Sequence, residues 1–304
     1  MESSMMKKME TLGYVYGLLG VIGFSLTLPA TRIAVTHFSP MVVGLGRALV
    51  AAVLAALILW LKQEKLPTWQ QWKGLIVVAG GVIIGFPLLS AWAMTQVPAS
   101  HGAVVIAILP LVTAGMATIR GGERPSLKFW LASAAGCLLI LGYTAANGLG
   151  GLQLADLALM GAVFAAAVSY AEGGKLAREL GGWQVICWAL LISAPVLFWP
   201  VAREVSAEML HAPVSVWLSF LYVSVISQFL AFFAWYGGMA LAGVARVSQL
   251  QYLQPFFTIV GSVLLLGETI TVSTLAVSAL VVLIVAQGRK APVDRRVPEQ
   301  LSSK

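Results

Sequence analysis

The hydrophobic positions of the chain fall into long runs that short polar segments separate. An α-helix needs about 20 residues to cross about 30 Å of hydrocarbon at 1.5 Å per residue, and ten runs reach about that length. They predict ten membrane-spanning helices, numbered spans 1 to 10 in chain order, at residues 12–34, 40–61, 73–94, 98–119, 127–146, 155–174, 183–201, 214–237, 243–266 and 272–288. The loops between them are too short for a soluble domain.

Composition and charge agree with this pattern. Of the 304 residues, 59% are hydrophobic and 10% are charged, whereas soluble domains carry about 25% charged residues. Most of the 19 Lys and Arg lie on one side of the predicted topology, and the positive-inside rule makes that side cytoplasmic. We therefore expect an all-α membrane protein with both termini in the cytoplasm. The rule also explains the net charge of +7 without a nucleic-acid partner.

The chain contains an internal repeat. A shift of 145 residues aligns, without a gap, a proline, a threonine three residues later and a Gly-Glu pair at the helix end. The aligned pairs are Pro110 with Pro255, Thr113 with Thr258, and Gly122-Glu123 with Gly267-Glu268. We predict one copy at residues 12–146, a second at 155–288 and a cytoplasmic tail at 289–304. Because each copy has five spans, an odd number, the second enters the membrane from the opposite side. Two inverted repeats around a central cavity are typical of alternating-access carriers.

The second copy carries a polar cluster in span 9, just before Pro255: Ser248, Gln249, Gln251, Tyr252 and Gln254. An unsatisfied polar group in hydrocarbon costs several kcal/mol, so this cluster must face other helices or a water-filled cavity. The matching positions of the first copy are apolar: Ala103, Val104, Ile106, Ala107 and Leu109. Polar specificity is therefore predicted to come mainly from the second copy.

Spans 3 and 8 complete the predicted binding site. Ser224, Gln228 and Trp235 share one face of an α-helix in span 8, which makes that helix amphipathic and favours a cavity-facing role. Their hydroxyl and amide groups would hydrogen-bond a solute, and aromatic side chains would stack on it. The predicted substrate-binding residues are Trp92, Ser224, Gln228, Trp235, Ser248, Gln251 and Tyr252.

Prolines and one acidic residue are candidates for gating. Pro29, Pro110 and Pro255 lie within spans, where each removes a backbone hydrogen bond and kinks the helix. Glu172, near the cytoplasmic end of span 6, either pairs with Lys175 on the same helical face or acts as a gate residue or proton site.

Two arginines near helix ends are possible contacts for an anionic group. Arg32 in span 1 either extends to the lipid headgroups or lines the cavity. Arg47 lies two turns into span 2, where a charge facing lipid is disfavoured. It is either a structural tie between helices or an anion contact, and the sequence favours the tie.

These features together resemble the EamA family of the drug/metabolite transporter superfamily. The resemblance covers about residues 13–288 and is carried by Pro40 followed by Arg47 as P-x6-R, by GGERPS after span 4 and by LGETIT after span 9. It implies two inverted five-helix repeats, with helices 1, 3, 4, 6, 8 and 9 around a central cavity, in a bacterial inner membrane. It also implies export of amino acids or related metabolites. Span 1 has no acidic residue where small multidrug relatives place a membrane glutamate, which disfavours proton-coupled export of cationic drugs.

The predicted function is therefore secondary export of small polar or zwitterionic metabolites, such as amino acids, by alternating access. A passive facilitator or channel, or a multidrug exporter, is the alternative. An enzyme is not expected, because His37, His101 and His211 lie in separate loops or helix ends without H-E-x-x-H spacing, and ATP-driven pumping would require G-x4-G-K-[ST]. We expect no cofactor and no metal; the expected partners are a small-molecule solute and membrane lipid, in a monomer or weak homodimer.

Overall fold

A computed structural model describes residues 2–121, 123–128, 130–131, 134–135, 138–139, 153–269, 272, 276, 279–280, 283 and 293–295. Most of predicted spans 5 and 10 and of the tail lies outside these residues. Eight of the described helices are long and apolar enough to cross a membrane: Met5–Ala34, Val42–Lys62, Trp69–Ala93, Ala99–Arg120, Leu154–Leu180, Gly182–Glu204, Val214–Ala242 and Val244–Leu266. They coincide with predicted spans 1 to 4 and 6 to 9 and keep those numbers below. The chain is a multi-pass helical membrane protein.

Spans 6 and 7 are continuous helices, whereas the other described spans break or change helix type. Spans 1 and 4 each consist of two α-helices, Glu2–Ser25 with Thr27–Ala34, and Ala99–Ile106 with Leu109–Gly121. Spans 2, 3 and 8 contain π-helical segments: Val42–Gly46 before Arg47–Lys62, Ala79–Gly85 between Trp69–Val78 and Phe86–Ala93, and Tyr222–Leu230 between Val214–Leu221 and Ala231–Ala242. Span 9 consists of an α-helix, a 3-10 helix and a second α-helix: Val244–Ser248, Gln249–Leu253 and Gln254–Leu266. Another 3-10 helix, Ala207–His211, precedes span 8.

The breaks recur with the 145-residue period of the sequence. The helices that follow the π-helical segments of spans 3 and 8 begin at Phe86 and Ala231, which are 145 residues apart. The second helices of spans 4 and 9 begin at Leu109 and Gln254, again 145 apart. Pro110 and Pro255 are the second residues of these two helices. Since proline has no N–H to donate to a carbonyl in the preceding turn, both copies interrupt the helix at the same place.

Packing between the spans follows the same relationship. Span 1 packs along span 8 and span 6 along span 3, while span 2 packs on span 7 and span 4 on span 9. This set of neighbours is unchanged when each span is exchanged for its counterpart five spans away.

Glycine residues let the backbones of spans 1 and 8 approach closely. A Cβ added to Gly238 of span 8 would lie 2.7 Å from both the carbonyl oxygen of Gly13 and the amide nitrogen of Gly17 in span 1. The two helices therefore approach too closely for any larger residue, as small residues permit in membrane proteins.

One short pair of strands accompanies the helices. Glu123–Pro125, directly after span 4, pairs antiparallel with Val293–Arg295 of the predicted tail. The backbone register places Glu123 opposite Arg295 and Pro125 opposite Val293. The loop after span 4 and this part of the tail therefore lie on the same side of the bundle.

Candidate functional site

The break in span 1 is tied to spans 8 and 9. The break lies at Leu26, three residues before Pro29, whose missing N–H leaves the carbonyl of Ser25 without its helical donor. Thr258 of span 9 donates its hydroxyl to that carbonyl at 2.7 Å, and Tyr222 of span 8 donates to the carbonyl of Gly23 at 3.0 Å. The polar groups that the break exposes are thus satisfied by the second copy.

The π-helical segments of the two copies also meet. Gln228 in span 8 donates its side-chain amide to the carbonyl of Val82 in span 3 at 3.1 Å. The hydroxyls of Ser227, its neighbour, and of Thr27 in span 1 are 2.8 Å apart. π-Helical turns are rare and are frequently found at functional sites, and here they bring three polar side chains together inside the bundle.

A small cavity lies where these irregular segments meet. It measures about 20 Å³ and is lined by Phe24, Thr27, Leu28, Arg47, Val82, Phe86, Ile106, Leu109, Tyr170, Ser227, Gln228, Phe232, Gln251 and Gln254. A second cavity of about 10 Å³ shares Leu28, Ile106, Leu109, Gln251 and Gln254 with it and adds Ala103, Ala107, Pro255 and Thr258. About 10–15 Å³ accommodates one water molecule, whereas sites for small molecules measure about 300–1,000 Å³. The described conformation is therefore closed.

The cavity walls differ in polarity between the copies. Span 9 contributes the amides of Gln251 and Gln254, while span 4 contributes Ile106 and Leu109 at the two matching positions. The carbonyl oxygen of the Gln251 side chain is buried and has no hydrogen-bond partner. One side of the cavity can thus hydrogen-bond a solute, and the other offers only apolar contact.

Among the described residues, no partner is seen for Arg47 that would make it the structural tie that the sequence favoured. The residue is 2% exposed and lines the cavity. Its Nε atom is buried without a partner, and no described residue forms a hydrogen bond or ion pair with the guanidinium. Tyr170, another lining residue, is close enough to interact electrostatically with Arg47. Arg47 begins the α-helix that follows the π-helical turns of span 2, so the register of the span is shifted just before it. Arg32, in contrast, donates to the carbonyl of Met94 and ties span 1 to span 3.

The structure brings together only part of the predicted binding set. Gln228 and Gln251 line the cavity, whereas Trp92, Ser224, Trp235, Ser248 and Tyr252 are not among the residues that line either cavity. Ser224 donates to the carbonyl of Phe220 at 2.7 Å and Ser248 to that of Ala245 at 3.0 Å, both within their own helices.

Aromatic packing accounts for Trp235 and reveals residues that the sequence did not single out. Trp235 is fully buried, with its ring centroid 5.9 Å from that of Phe24 and 5.4 Å from that of Tyr170. It therefore packs against two residues that line the cavity without lining the cavity itself. Tyr170, Thr27 and Ser227 line the cavity but were not predicted as binding residues. The helix break expected at Pro29 was the sequence signal from which Thr27 could have been found.

Ion pairs join the helices at one end of the bundle. Glu172 accepts from Arg120 at the end of span 4 at 3.2 Å, which replaces the expected pairing with Lys175. At the same end, Arg246 donates to Glu10 at 2.5 Å.

The other end of span 4 is held by the second copy. The carboxylate of Glu268 accepts from the amides of Ala99 and Ser100 at 3.1 and 3.2 Å. His101 and Asp156 are in contact at 2.6 Å. Span 4 is thus fixed at both ends by residues of spans 6 and 9.

Comparison with known proteins identifies the family. Residues 11–144 and 153–286 each match the EamA-like transporter family. The chain belongs to this family. This EamA chain is 42% identical over 281 residues to the uncharacterized transporter YdeK of Bacillus subtilis (strain 168), covering 92% of this chain and 98% of YdeK.

More distant relatives agree with this assignment. A probable terminal-alkyne amino-acid exporter of Streptantibioticus cattleyicolor is 24% identical over 255 residues, covering 83% of this EamA chain and 84% of the exporter. A crystal structure of another protein shares the fold with a TM-score of 0.70 at 17% identity, covering 91% of this chain and 97% of that chain. The protein is therefore a multi-pass membrane transporter.

Proposed function

We propose that this EamA transporter exports small polar or zwitterionic metabolites, such as amino acids, by alternating access. The observation that carries the proposal is the cavity between the two copies, where Gln228, Gln251 and Gln254 face apolar side chains of span 4. Broken helices that meet at a polar site are where carriers hold their cargo. The amino-acid exporter among the relatives supports the same class of substrate.

The architecture that we propose has ten membrane helices in two inverted five-helix repeats. The repeats occupy residues 12–146 and 155–288, followed by the tail at 289–304. The 145-residue period of the helix breaks and the two matches to the family support the duplication. The distribution of basic residues supports an orientation with both termini cytoplasmic, and the bacterial sources of the relatives support a bacterial inner membrane. Tags at the two termini that react with a membrane-impermeant reagent in intact cells would contradict this orientation.

Transport requires the cavity to open to one side at a time. The contacts Arg120–Glu172 and Arg246–Glu10 close one end, and the contacts of Glu268 and His101 close the other. Opening either end breaks one set while the other persists. Pro29, Pro110 and Pro255 mark the positions where the helices can bend, and Glu172 acts as a gate residue through Arg120.

A flux assay with the purified chain in liposomes tests the proposal. We expect saturable uptake of labelled amino acids that empty liposomes do not show. The absence of protein-dependent flux across a panel of amino acids, sugars and cationic dyes would refute a metabolite carrier. Movement of the dyes alone would identify the multidrug alternative.

A passive facilitator is the second candidate. No acidic side chain is among the residues that line the two cavities, so the cavity itself offers no carboxylate to bind a coupling proton. Accumulation against a gradient that depends on an imposed proton gradient would identify a coupled carrier. Equilibration without accumulation would identify a facilitator.

A further inference from the structure

Arg47 brings a positive charge into the wall of the closed cavity. It is the charged member of the lining set, and it is almost completely buried. Burying an ion without a partner is strongly unfavourable, and charged groups inside membrane segments normally pair with one another or mark a substrate pathway. No described residue supplies a carboxylate to this guanidinium, so the pairing group is not part of the described bundle.

An arginine in this position is suited to a carboxylate. The guanidinium is planar, stays charged and presents paired N–H groups that match the two oxygens of a carboxylate. A carboxylate entering the cavity would satisfy the buried Nε atom or its neighbouring donors, and would remove the cost of the isolated charge. A cation would meet repulsion from Arg47 and no acidic side chain among the lining residues.

The rest of the cavity limits the remainder of the solute. The side-chain oxygen of Gln251 has no hydrogen-bond partner, and as an acceptor it suits an N–H or O–H group of the solute near the carboxylate. The apolar surface comes from Leu28, Val82, Phe86, Ile106 and Leu109. This surface favours an alkyl or aryl side chain, because binding removes the apolar area of both from water.

We propose that Arg47 binds the carboxylate of the cargo and that the cargo is a small carboxylate with an apolar side chain. Amino acids of this kind belong to the class, and so do the corresponding acids that lack the amino group. The inference rests on the proposed function and narrows its substrate class. It states that the carboxylate, and not the ammonium group, decides recognition.

A matched ligand series tests this inference on the wild-type chain. Leucine is compared with 4-methylpentanoate, which lacks the amino group, with leucinamide, which lacks the carboxylate charge, and with 3-methylbutylamine, which lacks the carboxylate. Phenylalanine, 3-phenylpropanoate and phenylalaninamide form a second series. Binding to the purified protein in detergent is measured by calorimetry and by the ligand-dependent shift of the melting temperature.

We expect the four carboxylates to bind and the amides and the amine to bind at least about tenfold more weakly, as loss of a charged hydrogen bond implies. Equal binding of leucine and leucinamide would overturn the inference. So would a failure of all carboxylates in both series to bind.

Substitution of Arg47 gives the second readout. Arg47→Gln is expected to weaken binding of leucine and 4-methylpentanoate at least about tenfold, and Arg47→Lys to give an intermediate loss because it keeps the charge without the planar donors. Arg203→Gln is the control, because Arg203 stacks on Trp199 outside the cavity. Unchanged binding by a folded Arg47→Gln variant would contradict the inference, and the wild-type series decides the matter if that variant does not fold.

The outcome is distinguishable from failure of the proposed function. Flux of solutes without a carboxylate through the wild-type protein would leave the transporter proposal standing and overturn the role of Arg47. The absence of any flux would refute the transporter proposal itself.

Discussion

Ile106 and Gln251 occupy matching positions of the two copies, 145 residues apart, and line the same cavity. Leu109 and Gln254 repeat this relationship three residues further along each span. The duplicated backbone therefore surrounds a site whose chemistry is not duplicated. Polar recognition comes from span 9, and its counterpart in span 4 supplies apolar contact.

Gln251→Ala should reduce substrate flux at least about tenfold, because the cavity loses a hydrogen-bonding group worth about 1–3 kcal/mol to a bound polar solute. The measurement is initial uptake into liposomes at equal amounts of folded protein. Gln249→Ala is the matched control, since Gln249 is equally buried at 3% exposure but is not among the residues that line either cavity. Equal losses in the two variants would show that burial of an amide, and not the cavity, explains the effect.

The sequence predicted the described spans well because apolar length decides which segments cross a membrane. It predicted the faces of spans 8 and 9 less well, since it assumed 3.6 residues per turn. Residues 249–253 form a 3-10 helix, which winds more tightly than an α-helix, and both Gln251 within it and Gln254 directly after it line the cavity. The π-helical segment of span 8 shifts the register in the opposite direction, and Ser227 with Gln228 faces the cavity while Ser224 does not.

The role of Arg47 could not be predicted from its position along span 2. A structural tie and an anion contact both require a buried arginine, and they differ in whether another helix supplies a hydrogen-bond acceptor for the guanidinium. That distinction depends on packing between distant segments. Pro29, in contrast, was informative in the sequence, because a missing backbone donor affects the turn before it wherever the helix packs.

Thr258→Val should destabilise the protein by about 1–3 kcal/mol, since the carbonyl of Ser25 loses its hydroxyl donor while remaining buried. Pro29→Ala restores a backbone N–H that can reach this carbonyl. We therefore expect Thr258→Val to cost less in the Pro29→Ala background than in the wild type, as measured by thermal unfolding in detergent in a double-mutant cycle. Additive effects of the two substitutions would contradict this account of the break.

Gly238→Ala should lower the melting temperature, because the new Cβ would lie 2.7 Å from backbone atoms of Gly13 and Gly17 and would force spans 1 and 8 apart. Overpacking of this kind costs about 1–3 kcal/mol. Gly80→Ala is the matched control, since a Cβ at Gly80 meets no atom within 4 Å. A Gly238→Ala protein as stable as the Gly80→Ala protein would show that the two spans can separate without cost.

Glu268→Ala should loosen the end of the bundle at which span 4 begins. Its carboxylate accepts from the first amides of that helix, at Ala99 and Ser100. Loss of an acceptor at a helix N-terminus costs about 0.5–2 kcal/mol, and the lost negative charge removes a favourable interaction with the helix dipole.

We expect a lower melting temperature for Glu268→Ala, a smaller loss for Glu268→Gln, which keeps an acceptor oxygen, and no loss for Glu208→Ala, at an exposed position of the 3-10 helix before span 8. A cysteine at position 254, in a chain without Cys137 and Cys187, should also react faster with a membrane-impermeant thiol reagent when Glu268 is replaced. If the labelling rate stays the same while stability falls, Glu268 caps the helix without holding that end of the transporter closed.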